Sequence, residues 1–235
     1  MMSPDHAEVV NDFAAFGVTA FTTTRAFGSL SSASSEPANA VMLRWNMVRA
    51  VARAAGIERF ATTHQVHGAH VIEHRDGWSG WLRAADADGH FAAGRDTAFC
   101  VSVADCVPVF IAHESGAIAL LHSGWRGTEA RIVEQGIAAF TMRGLAAHEL
   151  RVHLGPAICG NCYEVSADVA SRLLGRRVAA SMTVDLRAVI ADHARAFGVR
   201  EITSSGKCTK CDNERFYSHR AGDAGRQVAV IFARN

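Results

Sequence analysis

Residues 97–128 read TAFCVSVADCVPVFIAHESGAIALLHSGWRGT. Three apolar runs, TAFCVSV, CVPVFIA and AIALLHS, are parted by AD and HESG. The segment therefore reads strand, sharp turn, strand, hairpin, strand, ahead of a helical run from Thr128 to about Met142. AFCVSV and AIALL are apolar almost without a break, the pattern of a sheet covered on both faces. The covers come from helical periodicity elsewhere. Val41, Trp45, Val48 and Val51 mark a helix over 39–55 that stops at Gly56, and two more fall near 166–174 and 184–197. Further strands are expected at 17–24 (GVTAFTTT), from Phe60 to about Val66, at HVIEH and at the closing QVAVIFA. The Ser-rich segment AFGSLSSASSEPANA is a long loop, and loops of that length are often functional.

A length of 235 residues suits one large domain, and no linker-like tract divides it. With 49% hydrophobic and 20% charged residues the chain is an ordinary globular protein. Its 24 basic and 23 acidic residues leave a formal charge of +1, so no global field draws it to nucleic acid or to an anionic membrane. A small-molecule partner is favoured. The N-terminal segment, with Asp5, Glu8 and Asp12, lacks the basic start and apolar stretch of a signal peptide. No run approaches the roughly 18 to 20 apolar residues of a membrane span. A cytoplasmic location is expected, with the six cysteines kept as thiols.

The hairpin permits a geometric inference. If His113 to Gly116 form a four-residue loop, Val107 faces His122 and Cys106 lies diagonally beside it, a thiol and an imidazole where a sheet opens into loops. One more imidazole would complete a three-ligand zinc site, leaving a fourth position for water or substrate. His67 is the best candidate, because it ends FATTHQV and precedes Gly68; His64 is its rival. Next to His122, GWRGT places Arg126 ahead of an expected helix capped by Thr128, a natural anion pocket. Cys159–Cys162 and Cys208–Cys211 are two CxxC pairs. The 45 residues between them exceed the usual zinc-ribbon separation of about 15 to 20, and neither has the strand-then-helix context of a redox motif. They are expected to be ordinary buried or loop thiols.

The blocks HQVHG, VADCVPV, LLHSGWRGT, LGPAICGNCYEV, CTKCDNERFYSHR and GRQ, in this order, resemble the laccase-domain, YfiH-type family, now regarded as purine nucleoside phosphorylases. The resemblance implies one zinc ion on His67, Cys106 and His122. It also implies an α+β fold with face-to-face β-sheets flanked by helices, an α/β/β/α layering, as a single domain over 1–235. The implied activity is phosphorolysis of adenosine, inosine and methylthioadenosine, together with adenosine deamination, the partners being nucleoside and phosphate. Two departures bear on substrate preference: Asn46 is followed by Met47 where relatives commonly have Arg, and Phe27 stands where they have Gly. Arg126 and Arg25 are the residues expected to hold phosphate. Asp105, beside the ligand Cys106, would shuttle a proton or orient the metal shell.

Rival readings use the same residues. Two His and one Cys are also blue-copper ligands, which points to a copper-dependent polyphenol oxidase, but laccase chemistry needs H-x-H pairs and the chain has none. A cysteine hydrolase would use Cys106 as nucleophile and His122 as base. A metal-sensing module would bind zinc without turnover. The sequence leaves the oligomeric state open between a monomer and a small homo-oligomer.

Overall fold

The computed structural model describes residues 3–31 and 35–234, so the middle of the Ser-rich loop lies outside the described residues. With strands numbered along the chain, one six-stranded sheet runs β1 (Ala7–Val10), β2 (Val18–Thr23), β14 (Gln227–Ala233), β7 (Thr97–Val103), β3 (Arg59–Thr63), β5 (Gly80–Ala84). The second runs β13 (Glu201–Ser204), β10 (Arg151–Leu154), β8 (Val107–Ala112), β9 (Ile118–Ser123), β6 (Gly89–Ala92), β4 (Val71–Glu73). A short antiparallel pair, β11 (Glu164–Val165) and β12 (Met182–Thr183), stands apart. Both large sheets are mixed: β3 runs parallel to β7 and β5, and β10 runs parallel to β13.

The unbroken apolar runs arise because each central strand is covered twice. In β7, Phe99, Val101 and Val103 enter the layer between the sheets, where they meet Phe110 of β8 and Ile118 and Leu120 of β9. The alternate residues Ala98 and Cys100 face outward with Val228, Val230 and Phe232 of β14, onto Val48 and Ala52 of α1 (Ala38–Arg53). On the other side, Val107, Val109, Ile111, Ala119 and Leu121 pack against α3 (Ile132–Thr141), α4 (Ala167–Leu174) and α5 (Leu186–Ala196), through residues such as Ile137, Leu173 and Ile190. The order of layers is α/β/β/α, as the family resemblance implied. Each large side chain so buried contributes about 1.5 to 3 kcal/mol. No helix among the described residues is long and apolar enough to cross a membrane.

Three local expectations are corrected. The hairpin loop has three residues: His113 N–H bonds Ala117 O at 3.0 Å, and Gly116 takes a left-handed φ of 91° that closes the turn. The register is therefore Val107↔Ser123 and Pro108↔His122, one residue off the four-residue geometry, so Cys106 falls opposite Gly124. The strand at Phe60 ends at Thr63, leaving His64 to His67 in a turn. Thr128 is no N-cap. α2 (Trp125–Glu129) starts after Gly124, and the Thr128 hydroxyl donates back to Gly124 O at 2.9 Å from inside the helix. A left-handed residue, Arg131 with φ 58°, then separates α2 from α3.

Candidate metal centre

In β9, Ile118 and Leu120 point between the sheets, and His122 continues that series to the end of the strand. Cys106 continues the inward series of β8 just before the strand begins, carried there by Asp105 in a left-handed conformation at φ 81°. His67 arrives from the turn after β3, itself left-handed at φ 61°. One ligand atom from each of His67, Cys106 and His122 lies within 4.8 Å of the others, and the two imidazole rings meet edge to face at 4.8 Å. Gly124 makes room for this: a Cβ there would sit 2.9 Å from Cys106 Sγ and 3.3 Å from His67 Cδ2.

One buried carboxylate organises the group. Asp88, at the entrance to β6, is fully buried. Its Oδ1 accepts from His122 Nδ1 at 2.8 Å and from the His67 backbone N–H at 3.0 Å. Its Oδ2 accepts from the N–H groups of Val66 at 3.2 Å and Gly68 at 2.6 Å. It thereby grips the HQVHG turn and fixes the His122 tautomer, leaving Nε2 as the atom free to bind an ion. Burial works against the Asp88 charge, but His122 and the backbone donors outweigh it and hold the carboxyl below its usual range. Burial likewise raises the Cys106 thiol, and His122 and His67 overcome it, drawing the thiol down to about 6. His122 is penalised by burial yet raised to about 9 by Cys106 and Asp88. Each of the two groups thus favours the charged form of the other.

A cavity of about 340 Å³ opens over these residues, walled also by Gln65, Ser102, His219 and Arg226. Through Gln65, Ser102 and Arg226 it continues into a cleft of about 590 Å³ flanked by Met42, Trp45 and Trp81. Gln65 is anchored to β7, its Oε1 accepting from Ser102 N–H at 2.7 Å and its Nε2 donating to Ser102 O at 2.9 Å.

The other residues singled out in the sequence lie elsewhere. His64 is exposed and paired with Asp86 at 2.7 Å, so it is not the third imidazole. Asp105 is buried, and its carboxylate already accepts from Thr209 Oγ1 at 2.6 Å and from the Arg220 N–H at 2.7 Å. It braces the turn before Cys106. Arg25 donates to Asp223 Oδ2 at 2.6 Å and Asn213 O at 2.7 Å, and stacks over Tyr217. Arg126 is exposed, with its guanidinium 4.4 Å over the Trp125 ring. Neither arginine lines the cavity over Cys106; Arg226 and His219 do. Both lay within motifs quoted above, FYSHR and GRQ, without being singled out. Asp88, in ADADGH, had no local signal, being one of 23 acidic residues. The two CxxC pairs also depart from expectation: all four cysteines converge, each offering an Sγ within 4.8 Å of the others.

Residues 22–234 match the family described as multi-copper polyphenol oxidoreductase laccase. A protein of Deinococcus radiodurans named purine nucleoside phosphorylase is 32% identical over 214 residues, covering 86% of this chain and 81% of that one. One of Campylobacter jejuni, also named a purine nucleoside phosphorylase, is 28% identical over 184 residues, covering 76% and 79%. The crystal structure of the hypothetical protein YfiH of Bacillus licheniformis superposes with a TM-score of 0.86, over 100% of this chain and 98% of that one. At 20% sequence identity, that likeness is one of fold. Because the match runs almost end to end and extends to a relative sharing 32% of aligned residues, this protein belongs to the multi-copper polyphenol oxidoreductase laccase family.

Proposed function

We propose that this protein is a zinc-dependent purine nucleoside phosphorylase with a second activity as an adenosine deaminase, formed as one catalytic domain over 1–235 and working in the reducing cytoplasm. The observation that carries the reading is the convergence of two imidazoles and one thiol within 4.8 Å at the floor of an open cavity. Three such ligands with one open side are the donor set of a catalytic zinc. The support from relatives is that those similar over most of this chain bear the phosphorylase name.

His67, Cys106 and His122 would hold the ion, and Asp88 would keep His122 in its binding tautomer. A zinc bound there supplies Lewis acidity and lowers the pKa of a coordinated water toward about 7. The cleft walled by Trp45, Trp81 and Met42 offers flat apolar surface for a purine. Arg226, with His219 beside it in the cavity wall, would hold phosphate against the ribose, in the role that Arg126 and Arg25 were expected to fill. In phosphorolysis the N-glycosidic bond breaks as a phosphate oxygen bonds C1′, and the purine departs with the bonding electron pair and is protonated. In deamination, water replaces the adenosine amino group, giving inosine and ammonia.

Oxidase chemistry finds less support. Among the described residues the other group able to hold a metal consists of four cysteines rather than histidines. The hydrolase reading shares Cys106 and His122 but requires no stoichiometric zinc. The deciding experiment incubates metal-quantified protein with adenosine, inosine and methylthioadenosine, with and without phosphate. Free base and ribose 1-phosphate are expected only with phosphate, and inosine from adenosine without it. Arg226→Ala should raise the phosphate KM about ten- to a hundredfold, as loss of a charge-assisted contact does. Zinc-loaded protein that releases no base in phosphate would overturn the reading.

A further inference from the structure

The two CxxC pairs meet because of strand pairing. β10 and β13 run parallel, with Leu154 opposite Ser204, so both chains leave the sheet at the same edge and in the same direction. Cys159 follows five residues after Leu154, and Cys208 four after Ser204; the exits stay joined by a bridge between Ala157 and Cys208 and by Thr209 N–H to Ala157 O at 3.2 Å. The long intervening stretch is taken up by α4, α5 and the short strands, so linear separation does not bear on whether the pairs meet.

The four Sγ atoms lie within 4.8 Å of one another, and Cys162 Sγ is 3.4 Å from Cys211 Sγ. A tetrahedral ion with bonds of about 2.3 Å needs its sulfurs about 3.8 Å apart, within the spacing seen. A second observation points to thiolates. Cys208, buried at 8% exposure, has its Sγ facing two backbone donors, Cys159 N–H at 3.2 Å and Cys211 N–H at 3.4 Å. Backbone N–H groups directed at a sulfur stabilise its anionic form. The chain's only two lysines fall in this segment, Lys207 next to Cys208 and Lys210 next to Cys211 in sequence, positive charge close along the chain to a centre that four thiolates would leave negative.

We infer that Cys159, Cys162, Cys208 and Cys211 form a second, structural zinc site, separate from His67, Cys106 and His122. Binding displaces the thiol protons to solvent and closes the coordination shell with sulfur, so the site takes no substrate. Its place gives it a use. Thr209, inside the second CxxC, donates to Asp105 Oδ1, and Ile158, just before the first, donates its N–H to Asp105 O at 3.1 Å. The ion would staple together the two loops that hold Asp105 left-handed and thereby set Cys106.

The test purifies the protein under reductant and counts zinc. Wild type should carry about two equivalents per chain, Cys106→Ala about one, and the pair Cys208→Ser with Cys211→Ser about one. In the Cys106→Ala background, Co²⁺ substituted for zinc should show the strong thiolate-to-cobalt charge-transfer absorption of a tetrathiolate site. The cysteine pair should also lower Tm, and the remaining zinc should then exchange faster. Should the pair fail to fold, the cobalt spectrum and zinc count of Cys106→Ala still decide. A Cys106→Ala protein without zinc or a cobalt–thiolate spectrum, or wild type isolated with a Cys162–Cys211 disulfide and one zinc, would overturn the inference.

Discussion

His122 and His90 sit on neighbouring strands of one sheet, both buried, and are driven in opposite directions. In the β6–β9 ladder His90 faces Leu120, and two residues along, His122 donates its N–H to Asp88 O. His122 has a carboxylate and a thiol as partners, and its pKa is raised to about 9 despite burial. His90 has Phe99 stacked at 5.1 Å and a hydrogen bond of 2.9 Å between its Nδ1 and His74 Nε2, and burial followed by repulsion from His74 brings it down to about 3. His74, beside Arg59, falls to about 4, again mainly through burial. The same residue type at the same depth thus favours its charged form in one place and is a neutral core group in the other. Depth sets the penalty on the charge, and the partners decide whether it is met.

The most forceful way to break this comparison is to remove the thiol. Cys106→Ala should cost more than about a hundredfold in turnover, since loss of a ligand exceeds the 10- to 100-fold typical of its supports. Tm should move little, because the side chain is only half-buried. Turnover at the wild-type rate would remove the metal centre from the reaction. Asp88→Asn tests the partner rather than the ligand. It keeps the shape but loses the charge, and zinc affinity measured by chelator competition should fall about 10- to 100-fold. Unchanged affinity would mean that Asp88 merely shapes the HQVHG turn.

The other half of the comparison is tested by acid. Because the folded-state pKa values of His74 and His90 lie below the unfolded value near 6.5, their contribution to stability is complete above about pH 6.5. It is lost as pH falls toward 4, where the unfolded chain takes up protons that the native state refuses. The slope is at most about 1.4 kcal/mol per pH unit for each histidine. Urea titrations between pH 6.5 and 4.5 should show a shallower loss for His90→Leu than for wild type, whatever the absolute stability of the variant; equal slopes would contradict the neutral assignment. The smallest effect is expected at Arg126. With its guanidinium on the Trp125 ring and outside the cavity, Arg126→Ala should change phosphorolysis and deamination by less than about twofold. A tenfold loss of phosphorolysis alone would return phosphate to the site expected from GWRGT.

Strand order along 97–128 was legible because apolar periodicity is a local signal, and each helix that covers the sheets announced itself by spacing. The hairpin register came within one residue of the truth; the error lay in a left-handed Gly116, a backbone state the sequence permits without requiring. The proposed ligands His67, Cys106 and His122 were picked out because each was read at a strand terminus, where a sheet opens into loops, and bears a side chain suited to zinc. Asp88 carried no such mark.

Residue chemistry and period thus pointed to strands covered on both faces and to three residues that the fold brings together, since both signals depend on neighbours a few positions apart; the order of layers came from the family resemblance. The partners did not follow from them. Asp88 reaches His122 across 34 positions, Thr209 reaches Asp105 across 104, and the cysteine pairs join across the parallel ladder of β10 and β13. Arg126 and Arg226 are chemically identical in the sequence, and one faces solvent while the other lines the cavity. Which charge meets which donor depends on contacts that form only when distant strands pair, and no local pattern encodes a distance between strands.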